Sequence, residues 1–116
     1  MSFTLATWNI NSVRLREPLV VQFLQQEAPD ILCLQECKSP VELIPTEQFV
    51  ALGYPYLIAR GQKGYNGVAI LSKLPIEDVG AQDFAGLGHA RHVAARLKNG
   101  VTVHNFYVPA GGDVPD

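Results

Sequence analysis

The sequence predicts an α/β domain with a mixed β-sheet, and three observations lead there. The chain opens in strand–helix–strand order, short apolar runs bounded by turn residues recur through its second half, and the composition suits a packed core. With 47% hydrophobic and 17% charged residues over 116 positions, intrinsic disorder is excluded, and the length is that of one ordinary domain.

Each element follows from its residues. Phe3 to Trp8 alternates and is rich in strand formers, and Asn9 to Asn11 form the turn after it. Pro18 stands where the first turn of a helix tolerates proline. Val20, Val21, Phe23, Leu24 and Glu27 keep helical spacing until Pro29-Asp30 ends the run. Ile31-Leu32-Cys33-Leu34 is continuously apolar and reads as a strand buried on both faces. One helix between two strands predicts a crossover with the strands parallel. Pro45 to Leu52 predicts a short helix closed by Gly53, and Tyr56 to Arg60 a strand. Gly61 to Gly67 is a glycine-rich loop, Val68 to Leu71 a further apolar strand, and Ile76 to Gln82 a weaker one. Phe84 to Ala90 reads as a loop. His92 to Leu97 and Val101 to Tyr107 flank Asn99-Gly100, a strong short-range hairpin signal. Residues 109–116 form a closing loop.

Several classes drop out on composition. Two cysteines imply no disulfide framework, so a reducing cytoplasm is the expected location. The N-terminal residues carry no secretory pattern, and no run approaches the length of a membrane span, so no membrane partner is expected. The net charge of −2 argues against a wholly basic nucleic-acid surface. It leaves room for a local rim of Arg14, Arg60, Lys63 and Arg91, because residues 59–116 hold six basic side chains against five acidic ones.

The chemistry-bearing candidates cluster at strand ends. Asn9 and Glu36 each follow an apolar strand, and parallel strands would bring both to one sheet edge, where open α/β sheets bind ligands. Oxygen donors there suit a hard cation such as Mg²⁺; a solvated strand terminus is the plainer reading of Glu36. Tyr107 could hydrogen-bond a phosphate oxygen or be a half-buried strand tyrosine. The Gly61–Gly67 loop, with Lys63 and Tyr65, suits polynucleotide contact and an ordinary connection equally. It lacks the P-loop spacing. Cys33 and Cys37 with His89, His92 and His104 are of zinc-ligand type, but the paired short spacings of structural zinc sites are missing, and Cys33 reads as a small core residue.

Four segments, taken together, carry a family resemblance. Trp8-Asn9-Ile10-Asn11-Ser12-Val13-Arg14, Pro29 through Glu36, Gly64-Tyr65-Asn66-Gly67 through Ser72, and Tyr107-Val108-Pro109 resemble the exonuclease III / apurinic-apyrimidinic endonuclease family. That resemblance implies a Mg²⁺-dependent phosphodiesterase, with Mn²⁺ as a substitute, acting on double-stranded DNA at abasic sites or 3′ ends in base-excision repair. It implies a four-layer αββα sandwich of two similar halves, of which residues 1–116 match the first. By matching position, Glu36 and Asn9 resemble the metal site and, with Tyr107, the catalytic set. Asn11 and Lys38 resemble supporting residues, and Arg14, Lys63, Tyr65 and Arg91 resemble DNA contacts.

The chain departs from the family pattern at Cys37, where threonine is usual, and at Ala110, where some relatives have asparagine. The general base of the family lies in the second half, so this chain alone is expected to be inactive or nearly so. A half-sandwich is also expected to bare an apolar sheet face, through which copies could self-associate. The alternatives are another superfamily phosphatase or nonspecific nuclease, and a non-catalytic binding domain.

Overall fold

The computed structural model describes residues 2–61, 64, 66–80 and 90–107. Its elements run β1 (Leu5–Asn9), α1 (Glu17–Glu27), β2 (Ile31–Gln35), a 3₁₀ turn (Val41–Leu43), α2 (Thr46–Ala51), β3 (Tyr56–Arg60), β4 (Val68–Ser72), β5 (Ile76–Gly80), β6 (His92–Leu97) and β7 (Thr102–Phe106). The short 3₁₀ turn is not visible in the sequence pattern; Pro45, where the sequence starts the helix, separates it from α2.

The strands form two sheets rather than one. The first has the order β1-β2-β4-β3, with β1 and β2 parallel and the other pairs antiparallel. The second is the antiparallel meander β5-β6-β7. It lies across the first sheet, and this corrects the expectation of a bare apolar face there. Side-chain alternation explains why both faces of the first sheet are covered. Leu32, Leu34, Ala69 and Leu71 point to Val20 and Leu24 of α1 and Phe49 of α2. Their neighbours Ile31, Cys33, Val68 and Ile70 point the other way, onto Val93, Ala95, Leu97 and Val103 of the second sheet. A strand apolar at every position needs two partner layers, and the chain supplies both.

The local signals are met with small changes. Pro18 falls in the first turn of α1, and Ala28 ends the helix in the left-handed region (φ 44°), returning its N–H to Leu24 O at 3.1 Å. The Asn99-Gly100 hairpin has a three-residue rather than a two-residue loop. Gly100 N donates to Leu97 O at 3.0 Å and Leu97 N to Val101 O at 2.8 Å, with Gly100 at φ 92°. That is a tight turn followed by a left-handed glycine, the usual three-residue solution. Among the described residues no helix is long and apolar enough to cross a membrane.

Candidate active site at the carboxyl edge of the first sheet

Strand direction decides which residues meet. Parallel β1 and β2 end together, with Asn9 in register with Gln35. Antiparallel β4 begins at that edge, because Val68 pairs with Gln35, and β3 ends there at Arg60. The second sheet brings the start of β6 and the end of β7 to the same side through His92 and Phe106. One edge therefore collects residues 9–14, 35–38, 66–67, 90–91 and 107.

Main-chain hydrogen bonds lace these segments together. Ser12 N and Val13 N donate to Glu36 O (2.8 Å) and Cys37 O (3.0 Å), while Cys37 N and Lys38 N donate to Gly67 O (3.0 Å) and Asn66 O (2.8 Å). The loop after β2 is thus held from both sides. Gly67 is required where it stands: at φ 94°, an added Cβ would lie 3.3 Å from both Cys37 Cβ and Lys38 N. Asn11, Ser12, Glu36, Lys38 and Asn66 all adopt positive φ, leaving Ala28 as the remaining non-glycine example among the described residues. Left-handed backbone costs a residue with a Cβ about 1–2 kcal/mol, and its concentration here marks an edge held in shape by its surroundings.

The side chains at this edge form one connected set. Asn9 Nδ2 donates to Glu36 Oε2 at 2.5 Å, and Lys38 Nζ stands 3.9 Å from Glu36 Oε1. Lys38 Nζ also donates to Asn11 Oδ1 at 2.6 Å, which makes Asn11 a partner of the ammonium. The carboxylate of Glu36 is about one-quarter exposed and opens to solvent. These are hard oxygen donors: a carboxylate, with amide oxygens beside it. Among the described residues no cluster of three or more His, Cys, Asp or Glu exists, so a cation here would rest on one carboxylate and keep much of its shell as water. That donor set fits Mg²⁺, which dehydrates reluctantly and takes one or two carboxylates.

Tyr107 stands at the same edge, half-buried against the inter-sheet core. Its N–H donates to Arg91 O at 2.8 Å, Arg91 Nε donates to Asn66 Oδ1 at 3.4 Å, and Gly67 N donates to Ala90 O at 2.8 Å. Tyr107 and Arg91 are thereby tied to the loop that carries Glu36. Arg14 is exposed in the segment after β1. Lys63 and Tyr65 lie outside the described residues.

One expectation changes at this edge. Arg60, counted in a basic rim, is instead engaged with Asp78 of β5 at 3.0 Å, an ion pair that bridges the two sheets. It holds the Asp78 carboxyl below its usual range, chiefly by a hydrogen bond. Cys33 and Cys37, not expected to be zinc ligands, lie on opposite faces of the first sheet, Cys33 in the inter-sheet core and Cys37 on the helix side. Burial pushes these thiols up to about 11 and about 12.

Three polar residues of the site have no role assigned from the sequence: Gln35 and Asn66, which lie in the family motifs, and Asn105, which does not. Asn66 and Asn105 are buried, Asn105 at 2% exposure. A signal for Asn105 did exist, since it shares inward parity with Val103, where an apolar residue is the norm.

Residues 6–115 match the Endonuclease/Exonuclease/phosphatase family. The chain is 39% identical over 67 residues to exodeoxyribonuclease III of Haemophilus influenzae, covering 58% of this chain and 25% of that protein. It is 35% identical over 115 residues to recombination repair protein 1 of Drosophila melanogaster, covering 93% of this chain and 16% of that protein. Among solved structures, an AP endonuclease from Archaeoglobus fulgidus superposes with a TM-score of 0.83 at 37% identity, covering 93% of this chain and 42% of its own. A 3′ phosphatase from Neisseria bound to a product DNA hairpin gives 0.81 at 36% identity, covering 91% of this chain and 41% of its own. The chain thus spans about two-fifths of the solved relatives and a quarter or less of these two sequence relatives. Matched along nearly its whole length in sequence and superposing on such structures, this chain belongs to the endonuclease/exonuclease/phosphatase family.

Proposed function

We propose that this chain carries the cation-binding and phosphate-facing side of a Mg²⁺-dependent phosphodiesterase acting on double-stranded DNA. It would be of the exonuclease III and apurinic-apyrimidinic endonuclease kind, working at abasic sites or 3′ ends in base-excision repair. The observation that carries this reading is the Asn9–Glu36 pair at the converging ends of two parallel strands, with Tyr107 brought to the same edge. It is supported by relatives named for exodeoxyribonuclease, AP endonuclease and DNA 3′-phosphatase activity.

In this reading Glu36 holds the cation, and Asn9 aims the Glu36 carboxylate by donating to Oε2. The bound ion, Mg²⁺ or Mn²⁺ in its place, supplies Lewis-acid polarisation of a phosphodiester oxygen. Lys38 spans Asn11 and Glu36 and balances local negative charge. Tyr107 orients a phosphate oxygen through its phenol, while Arg14, Arg91, Lys63 and Tyr65 contact the DNA strands without reading sequence. The 116 residues act as the N-terminal portion of one larger domain whose remainder supplies the general base, so the chain alone is inactive or nearly so. Self-association, proposed in the same reading, would have to use a surface other than the face of the first sheet that the second sheet covers. A cytoplasmic setting belongs to the same reading, since two cysteines imply no disulfide framework.

A Mn²⁺ titration of the isotopically labelled chain tests the site. Paramagnetic broadening is expected around Asn9 and Glu36 and is expected to vanish in Glu36→Ala. Broadening that is absent, or unchanged in the variant, overturns the reading and leaves a non-catalytic binding domain. With Mg²⁺ and abasic duplex, the chain alone should leave the DNA intact; cleavage abolished by Glu36→Ala would overturn the inactivity. Because one relative is a 3′ phosphatase, a duplex ending in a 3′ phosphate belongs in the same assay.

A further inference from the structure

Beneath the Glu36 edge lies a polar group that the reading above does not use. Asn105, on β7 of the second sheet, is 2% exposed and reaches across the apolar layer into the first sheet. Its Nδ2 donates to two main-chain carbonyls, Leu34 O at 3.0 Å and Ala69 O at 2.8 Å, on the central strands β2 and β4. Its Oδ1 accepts from Gln35 Nε2 at 2.7 Å, and Gln35 Nε2 also donates to Thr7 Oγ1 at 2.8 Å on β1. Both amide protons and the carbonyl of Asn105 are therefore engaged, and three strands of the first sheet are tied to one residue of the second.

Apart from the Arg60–Asp78 ion pair and the edge hydrogen bonds of Ala90 and Arg91 with Gly67 and Asn66, the layer between the sheets is packed by apolar, non-directional contacts. Ile31, Cys33, Ile58, Val68 and Ile70 against Val93, Ala95, Leu97 and Val103 would tolerate small slides of one sheet over the other. Three hydrogen bonds from a buried planar carboxamide do not, because a shift would strand polar groups in the core. The pin also sits where it matters: Asn105 is two residues from Tyr107 and Gln35 is one residue from Glu36.

We propose that Asn105 is a positioning residue that pins the end of β7 to the ends of β2 and β4, and so sets where Tyr107 stands relative to Glu36. The consequence for phosphate hydrolysis rests on the function proposed above; the placement itself does not. Asn105 acts through Gln35 and the strand ends and touches no substrate.

Solution NMR on the whole chain, comparing wild type with Asn105→Val, tests this. Valine keeps a strand-forming, apolar side chain while deleting the pin. Residual dipolar couplings of Leu5–Asn9, Ile31–Gln35 and Val68–Ser72 should still fit the wild-type arrangement, while those of residues 105–107 should not. Exchange of the Tyr107 amide, which donates to Arg91 O, should quicken about tenfold more than that of amides in β2 and β4. Gln35→Met should move the same signals in the same direction by less. Couplings of 105–107 that keep the wild-type orientation, with exchange raised equally in both sheets, would mean a merely structural role and overturn the proposal. If Asn105→Val does not fold, Gln35→Met decides alone by the same two criteria. Mn²⁺ broadening is read separately: its absence from wild type sinks the cation site and leaves the orientation result standing. With the cation site intact, Asn105→Val should alter broadening at Tyr107 while keeping the Mn²⁺ midpoint at Glu36 within about twofold, since no donor to the carboxylate is lost.

Discussion

Asn9 Nδ2 meets Glu36 Oε2 at 2.5 Å across the ends of two parallel strands, although the two residues are 27 positions apart in the chain. The helix between them costs little to close as a loop and returns the second strand beside the first, so two polar strand ends become one site. Asn9→Ala should weaken Mn²⁺ binding about tenfold, because the carboxylate loses the donor that aims it. Calorimetric or relaxation titration of wild type and variant would show it, and equal affinities would count against the pairing.

Glu36 also sits at φ 53°, a backbone shape paid for by its surroundings. Glu36→Gly removes a left-handed penalty of about 1–2 kcal/mol and adds about 0.5–1 kcal/mol of unfolded-state entropy. Stability should therefore hold or rise by up to about 1.5 kcal/mol while cation binding is lost. Urea denaturation checks the first part, and a clear loss of stability would show that Glu36 is held without strain.

On β6 and β7, His92 Nε2 and His104 Nδ1 lie 3.1 Å apart. Burial, then the neighbouring His104, then Arg60 hold His92 below its ordinary value of 6.5. A depressed histidine is neutral in the folded chain and more readily protonated in the unfolded one. The stability it contributes is complete above pH 6.5 and is lost as pH falls below that value toward the folded pKa. His104→Gln should flatten part of that decline by removing a neighbour that lowers His92. Melting temperatures taken on both sides of pH 6.5 test it, and parallel curves for variant and wild type would refute the coupling.

Gly61 packs against the chain leading to the 3₁₀ turn, so that an added Cβ would fall 2.3 Å from Ser39 O and 2.8 Å from Val41 N. Both are backbone atoms that cannot swing aside. Gly61→Ala should cost about 1–3 kcal/mol and perturb residues 39–41. Chemical denaturation with amide shifts would reveal it; a variant as stable as wild type would mean the segment yields freely.

The Cys33 and Cys37 thiols, pushed up to about 11 and about 12, are protonated and covered at neutral pH. Alkylation by iodoacetamide at pH 8 should be slow in the native chain and complete in urea. Rapid native labelling would require the edge around Cys37 to open often.

Local pattern alone carried the reading a long way. The apolar run Ile31–Leu34, Pro18 in the first helical turn and Asn99-Gly100 between two strands each state their element, because each is a short-range steric or hydrophobic fact. The positions of Asn9 and Glu36 after two strands joined by a helix also sufficed to bring them to one edge. What local pattern could not state was partnership across the layers. Whether Val93 and Ala95 extend the first sheet or cover it depends on the path of the chain after Pro75, and both outcomes bury the same side chains. Arg60 looked like a free cation until Asp78 of the other sheet came within 3.0 Å. Asn105 looked like one polar residue in a strand until its carboxamide met Leu34 O, Ala69 O and Gln35. The elements and the edge they share are written in spacing and backbone sterics, which act over a few residues. The pairing of polar groups is not, because a hydrogen bond depends on distance and direction between atoms that the chain separates by tens of residues.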